Sequence, residues 1–262
     1  MDVWLILLAP FILALLLAAT HVFLGLHVLA RGIIFVDLAL AQIAALGAVL
    51  ALLLGHDSHG WMARALAFAA AVTAALGFAL LRRVPDKILR EAVIGVVYVA
   101  ATAATVLILS RSGVGLEELK AILNGNILWV LWDDVAIIAA VYALFGALHW
   151  CWRHKFSALS FRGEGGPIRE IVFFVSFAIT ITLAVNVAGV LVVFAFLIMP
   201  ALASSLLAQS LLARLMIGWA LAALASACGL ALAYAGDLPV GATVVLVLSV
   251  LPVVAGVIAW AR

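Results

Sequence analysis

Gly189-Val-Leu-Val-Val-Phe-Ala-Phe-Leu-Ile-Met-Pro-Ala201 is the stretch on which the reading of this chain turns. An unbroken apolar run ends at a proline. The next segment, Leu202 to Leu215, is rich in small residues, mildly amphipathic, and carries one cation, Arg214. A second long apolar run follows it. Pro200 has no backbone N–H to donate and disfavours helix at Met199, so the chain is predicted to change direction there. In a chain that crosses a membrane, this order reads as a span, a proline break, a short helix at the membrane surface and a return span.

Composition fixes the solvent. The chain of 262 residues is 69% hydrophobic and only 10% charged, with a mean hydropathy of +1.38. A soluble domain of that length has no core large enough to hide so much apolar side chain. Runs of about 20 apolar residues, enough to cross the hydrocarbon, recur along the chain. Strand-like alternation is absent, so helices and not a barrel must satisfy the backbone. The expected fold is all-α, a polytopic transmembrane helix bundle of eight or nine spans forming one domain over residues 1–262. Cys151 and Cys228 lie far apart with no CxxC spacing, and no disulfide is expected. No cleavable leader is apparent at the N-terminus.

Hydropathy places spans at Val3 to Ala30, Ile33 to Leu54, Met62 to Leu81, Ile88 to Leu109, Val130 to Trp150, Glu170 to Val187, Gly189 to Met199, Leu215 to Ala235 and Val240 to Trp260. The sixth and seventh are either separate or one kinked, re-entrant unit. Arg153 to Arg169 reads as a polar loop. Its Gly163-Glu-Gly-Gly-Pro167 stretch follows no strand, so it is a flexible connection and not a nucleotide loop. Cations orient the bundle. Arg82, Arg83, Lys87 and Arg90 cluster in one loop, and Arg153, Lys155, Arg162 and Arg169 in another. With alternating spans both loops share a side with Arg31, Arg214 and Arg262. Of the 14 Lys and Arg residues, only Arg64, Arg111 and Lys120 fall opposite. The N-terminus is therefore expected outside, and the C-terminus and Leu202 to Leu215 in the cytoplasm.

Ionisable groups within spans are expensive unless paired or hydrated, so each is a functional candidate. His21 and His27 lie in the first span, Asp37 and Gln42 in the second. A tight turn at Arg31 and Gly32 makes these helices neighbours. His21 and Asp37 at comparable depth offer a transient site for a divalent transition metal. The plainer alternative has the histidines bonding nearby carbonyls and Asp37 pairing with Arg31. On the outer side, His56, Asp57 and His59 sit in one short turn that either captures metal or is an ordinary polar loop. Asp133 and Asp134, with Glu117 and Glu118, form an acidic rim that would attract cations. Asp237 is expected to cap the last helix.

Several segments resemble the permease subunit of zinc/manganese-type metal ABC importers. Gly189 to Ala203 looks like that family's Gly-Val-Leu-Leu-Val-x-Ala-Leu-Leu-Ile-x-Pro-Ala motif. Asp237-Leu-Pro-Val-Gly-Ala-Thr243 is similar to its Asp-x-Pro-x-Gly-Ala turn, and Leu123-Asn-Gly-Asn-Ile-Leu128 to its Leu-x-Gly-(Asp/Asn)-Ile-Leu element. Arg31 to Gly47 matches its second-helix signature in outline. One departure stands out. The family signature Gly-Asp-x-x-x-His puts Asp and His one helical turn apart. Here Gln42 takes the His position and Asp37 lies five residues before it, about 140° around a helix.

The resemblance implies a type II importer fold and a homodimer with a second permease copy. It also implies a cytoplasmic ABC ATPase that carries the ATP, and an extracytoplasmic metal-binding protein. The cargo would be a transported divalent ion, with no permanently bound cofactor, in the bacterial inner membrane among its lipids. Nucleic acid has no place in it. The surface segment 200–215 would then couple to the ATPase, through Pro200, Ala201, Ser204, Ser205, Gln209 and Arg214. The chain itself is expected to be no enzyme: it has no Walker A loop, HExxH or GxSxG. A different class, a proton- or ion-coupled secondary transporter, would use His21 and Asp37 as a relay.

Overall fold

The computed structural model describes residues 3–56, 60–112 and 127–261. Among them are ten α-helices and no strand. We number the helices α1 (Val3–Arg31), α2 (Val36–Leu53), α3 (Trp61–Leu80), α4 (Lys87–Ser112), α5 (Trp132–Cys151), α6 (Arg153–Ser157), α7 (Pro167–Ala188), α8 (Val190–Leu207), α9 (Leu211–Ala235) and α10 (Val240–Trp260). Eight described helices are long and apolar enough to cross a membrane. The shorter apolar α2 would be the ninth element of the expected nine. The all-α, polytopic reading holds.

The chain forms two compact units. The first comprises Met1–Leu29, Asn124–Ala147 and Asn186–Arg262, and the second Ala30–Leu123 and Leu148–Val185. In the first unit, α9 and α10 pack on α8 and on each other. Gly25 of α1 lies against the Leu197 carbonyl of α8, where a Cβ would collide with backbone. In the second unit α2 packs on α3 and α4. Gly47 allows that closeness: a Cβ there would sit 2.5 Å from the Leu66 carbonyl oxygen. Small residues at such crossings let membrane helices approach until dispersion contacts hold them.

Two expectations near the opening motif are corrected. Pro200 does not turn the chain, because α8 continues through it from Val190 to Leu207. Pro10 in α1 and Pro252 in α10 are likewise inside helices. Membrane helices tolerate the missing bond because neighbouring groups and small local adjustments satisfy the freed carbonyl. The turn falls later, at Ala208 (φ −137°, ψ 156°), and Ser210 caps α9 by accepting from the Ala213 N–H at 3.2 Å. There is thus no separate surface helix over 202–215, but a corner between two long helices. The choice between one re-entrant unit and two helices is also resolved. Gly189, at φ 84°, separates α7 from α8 with a conformation open chiefly to glycine.

The expected polar loop after α5 is more ordered than its composition suggests. It holds α6 and a π-helical turn, Ala158–Arg162, anchored by fully buried Phe156. Asp237 does not cap α10; the N-cap is Pro239 with no side-chain bond, and Asp237 itself makes the turn at φ 50°.

Candidate functional site

Asp37 occupies the first turn of α2, where a helix N-terminus favours a carboxylate. It is 1% exposed, and neither of its oxygens has a hydrogen-bond partner. It is not needed as a cap. Glu91 of α4 takes that part, its Oε1 accepting from the Phe35 N–H at 2.8 Å just before α2 begins. Gln42 is also 1% exposed, with its Oε1 free of any partner. Asp37 and Gln42 point from different sides of α2, since five residues turn a helix by about 140°.

The expected alternative partner of Asp37 is engaged elsewhere. Arg31 donates from Nη1 to Glu170 Oε2 at 2.8 Å and from Nε to Ser160 Oγ at 3.0 Å. Its guanidinium lies 4.1 Å from the centre of the Phe173 ring. An Arg31–Asp37 pair is therefore absent. Glu170, Ser160 and Glu91 went unnoticed in the sequence because each acts across a long stretch of chain; for the two glutamates, a part-buried charge in the first turns of α7 and α4 was the available signal.

In the first unit His21 is fully buried beside Tyr142, ring centres 5.8 Å apart. Its Nδ1 lies 3.1 Å from the Leu17 carbonyl oxygen. A carbonyl only accepts, so Nδ1 carries the proton. In the neutral ring this leaves the lone pair on Nε2, which is buried without a partner. The bland expectation, a bond to a nearby carbonyl, is met by one ring nitrogen and leaves the other available. His27, also buried, packs on Phe23 with ring centres 4.6 Å apart.

His56 is exposed beyond the end of α2. Asp57 and His59 lie outside the described residues, as do Glu117, Glu118 and the first four residues of Leu123 to Leu128. Asp133 is exposed, and Asp134 accepts from the Leu131 N–H at 3.4 Å, a helix-start contact. Among the described residues, no group of three or more His, Cys, Asp or Glu side chains converges as a closed metal site.

At the α8–α9 corner, Pro200, Ala201 and Ser204 are buried, Ser205 is half-buried and Gln209 exposed. Ser204 Oγ donates to the Ala201 carbonyl at 3.1 Å. Arg214 reaches back, its Nε donating to the Ala208 carbonyl at 2.9 Å, and so holds the bend closed. Leu206 (42% exposed) and Leu212 (70%) stand out from the corner as apolar side chains.

Eight described helices long and apolar enough to cross a membrane, with few buried polar groups, define a multi-pass membrane protein. Residues 5–259 match the profile of the ABC 3 transport family, and the chain belongs to that family: it is a permease subunit of an ATP-binding cassette transporter. A structure described as PsaBC from Streptococcus pneumoniae in complex with Fab is similar, with a TM-score of 0.76 at 22% identity over 95% of this chain and 90% of that one. A structure described as an inward-facing conformation of a putative metal-chelate type ABC transporter is similar too, at a TM-score of 0.67 and 18% identity over 99% of this chain and 89% of that one. At such identities the likeness concerns the fold. A comparison with curated proteins finds no match.

Proposed function

We propose that this permease carries a divalent transition metal (zinc, manganese or iron) into the bacterial cytoplasm, with Asp37 as the principal ligand along its path. The observation behind this reading is the burial of Asp37 with both oxygens unbonded. A carboxylate left so is destabilising for the fold alone, and a passing cation would offset it. His21 offers a buried Nε2 lone pair and Gln42 a buried amide oxygen, a weaker ligand for zinc. A sparse set suits transport, which requires release as well as capture. The metal-chelate type transporter of similar fold agrees with a metal-class cargo.

Energy would come from a cytoplasmic ABC ATPase docked at the corner built from Pro200, Ala201, Ser204, Ser205, Gln209 and Arg214. An extracytoplasmic metal-binding protein would deliver the ion to a homodimer whose N-termini face outward. His56, Asp57 and His59 would meet it first. A proton-coupled carrier would use the same His21 and Asp37, and family membership favours the ATPase-driven scheme. The test is accumulation of labelled zinc, manganese and iron by cells carrying the wild type or Asp37→Asn, each with an active or an inactivated partner ATPase. Wild-type uptake in Asp37→Asn, or uptake indifferent to the ATPase, overturns the reading.

A further inference from the structure

The second unit contains a pocket of about 470 Å³ where three of its connections meet: the end of α1, the α3–α4 turn and the stretch before α7. Five cations line it, Arg31, Arg82, Lys87, Arg90 and Arg162, against one lining carboxylate, Glu170, and Arg162 is also paired at the exposed rim with Glu164 at 3.4 Å. Glu170 is already bound to Arg31 at 2.8 Å. The glycine-rich stretch supplies part of the wall. Gly163 adopts φ 71°, and Gly165 lies so close to Leu159 that a Cβ would collide with it.

Topology does not explain this convergence. Orienting a membrane protein requires only that cations lie in loops on one side, where water solvates them. Here Arg31 is 8% exposed and its Nη2 has no partner, and Arg90 likewise leaves its Nε buried and unbonded. Like charges gathered around one void repel each other, and a buried guanidinium N–H without an acceptor is costly. An anion removes both penalties. The volume is in the range of small-molecule sites and exceeds what a halide ion needs. Arginines in a fixed fork suit the oxygens of a phosphoryl group best.

We propose that this pocket binds a phosphate-bearing anion, held by Arg82, Lys87, Arg90 and Arg162 beside the Arg31–Glu170 pair. The phosphoryl group could belong to the headgroup of an anionic lipid or to a soluble phosphate. Basic pockets between membrane helices are a recurrent way to hold headgroups. Bound there, the anion ties together the connections that flank α2 and α4, and so steadies the helix bearing Asp37.

The experiment is thermal unfolding of the purified full-length chain in three settings: phosphatidylcholine discs, discs with added phosphatidylglycerol, and phosphatidylcholine discs with inorganic pyrophosphate. The wild type should gain several degrees in at least one of the last two. A gain with phosphatidylglycerol alone assigns the site to a headgroup, and a gain with pyrophosphate to a soluble phosphate. Arg82→Gln with Arg162→Gln, both exposed positions, should weaken the effect roughly tenfold in ligand concentration. Arg153→Gln with Lys155→Gln removes the same charge outside the pocket and should leave it unchanged. Should the double pocket variant not fold, Arg82→Gln alone gives the same reading. No gain in either setting overturns the proposal, as does equal weakening by both double variants, which would mark a diffuse surface-charge effect.

Discussion

Arg31 and Asp37 stand on either side of one tight turn, and both are buried, at 8% and 1% exposure. Arg31 is engaged by Glu170, Ser160 and the face of Phe173. Asp37 accepts no hydrogen bond at all. The first charge is woven into the second unit and joins α1 to the stretch around α7. The second has no partner within the chain, which is what the proposed metal path rests on. Burial alone would have marked both as functional; the partners separate a charge that builds the unit from one the unit merely tolerates.

Substitution should split the two along that line. Asp37→Asn keeps the volume and removes an uncompensated charge, so metal uptake should fall to background while the thermal midpoint holds or rises. Uptake assays paired with unfolding of the purified protein check both halves. Glu170→Gln should do the reverse. It leaves a buried guanidinium without its counter-charge, a loss of about 3 kcal/mol, read as a lower midpoint and poorer yield. Transport per folded molecule should persist. If Asp37→Asn unfolds the protein, or Glu170→Gln silences transport without loss of stability, the contrast between the two sites collapses.

The α8–α9 corner sets up a smaller effect. Leu212 is 70% exposed at a bend fixed by Ser210 and by the Arg214–Ala208 bond. Leu212→Glu therefore costs the fold little, yet places a charge on the apolar face proposed to dock the ATPase. ATPase co-purification should weaken by about tenfold, on the order of 1.4 kcal/mol, while the permease elutes and melts as before. Undiminished ATPase binding would move the docking face elsewhere.

Much of this architecture was legible in the sequence, because long apolar runs have few solutions in lipid. Span positions agree closely: Glu170 to Val187 is the body of α7 and Val240 to Trp260 is α10. Pro200 misled because the penalty for an interior proline was taken from soluble helices, whereas α8 keeps it and turns eight residues later, at Ala208. The burial of His21, Asp37 and Gln42 followed from their place in apolar runs. The partner of Arg31 could not follow, since Glu170 lies 139 residues away and only the folded chain brings them together. The same holds for Glu91 and Phe35, 56 residues apart.

Gln42 gives the finest cut through the comparison. It shares the burial of Asp37 and, like it, leaves an acceptor oxygen unbonded. It carries no charge, and its amide oxygen is a weak ligand for zinc. It also projects about 140° around α2 from Asp37, so the two cannot act as the one-turn Asp–His pair of related permeases. If an orphaned oxygen were itself the requirement for transport, Gln42→Ala would be as damaging as Asp37→Asn. If charge is the requirement, Gln42→Ala removes only a neutral contact of about 0.5–1 kcal/mol and uptake should fall by less than about fivefold. The expected result is the second, with a raised half-saturating metal concentration and an unchanged ATPase complex. Loss of uptake equal to that of Asp37→Asn would show that Gln42 is a full ligand and that the path follows both faces of α2.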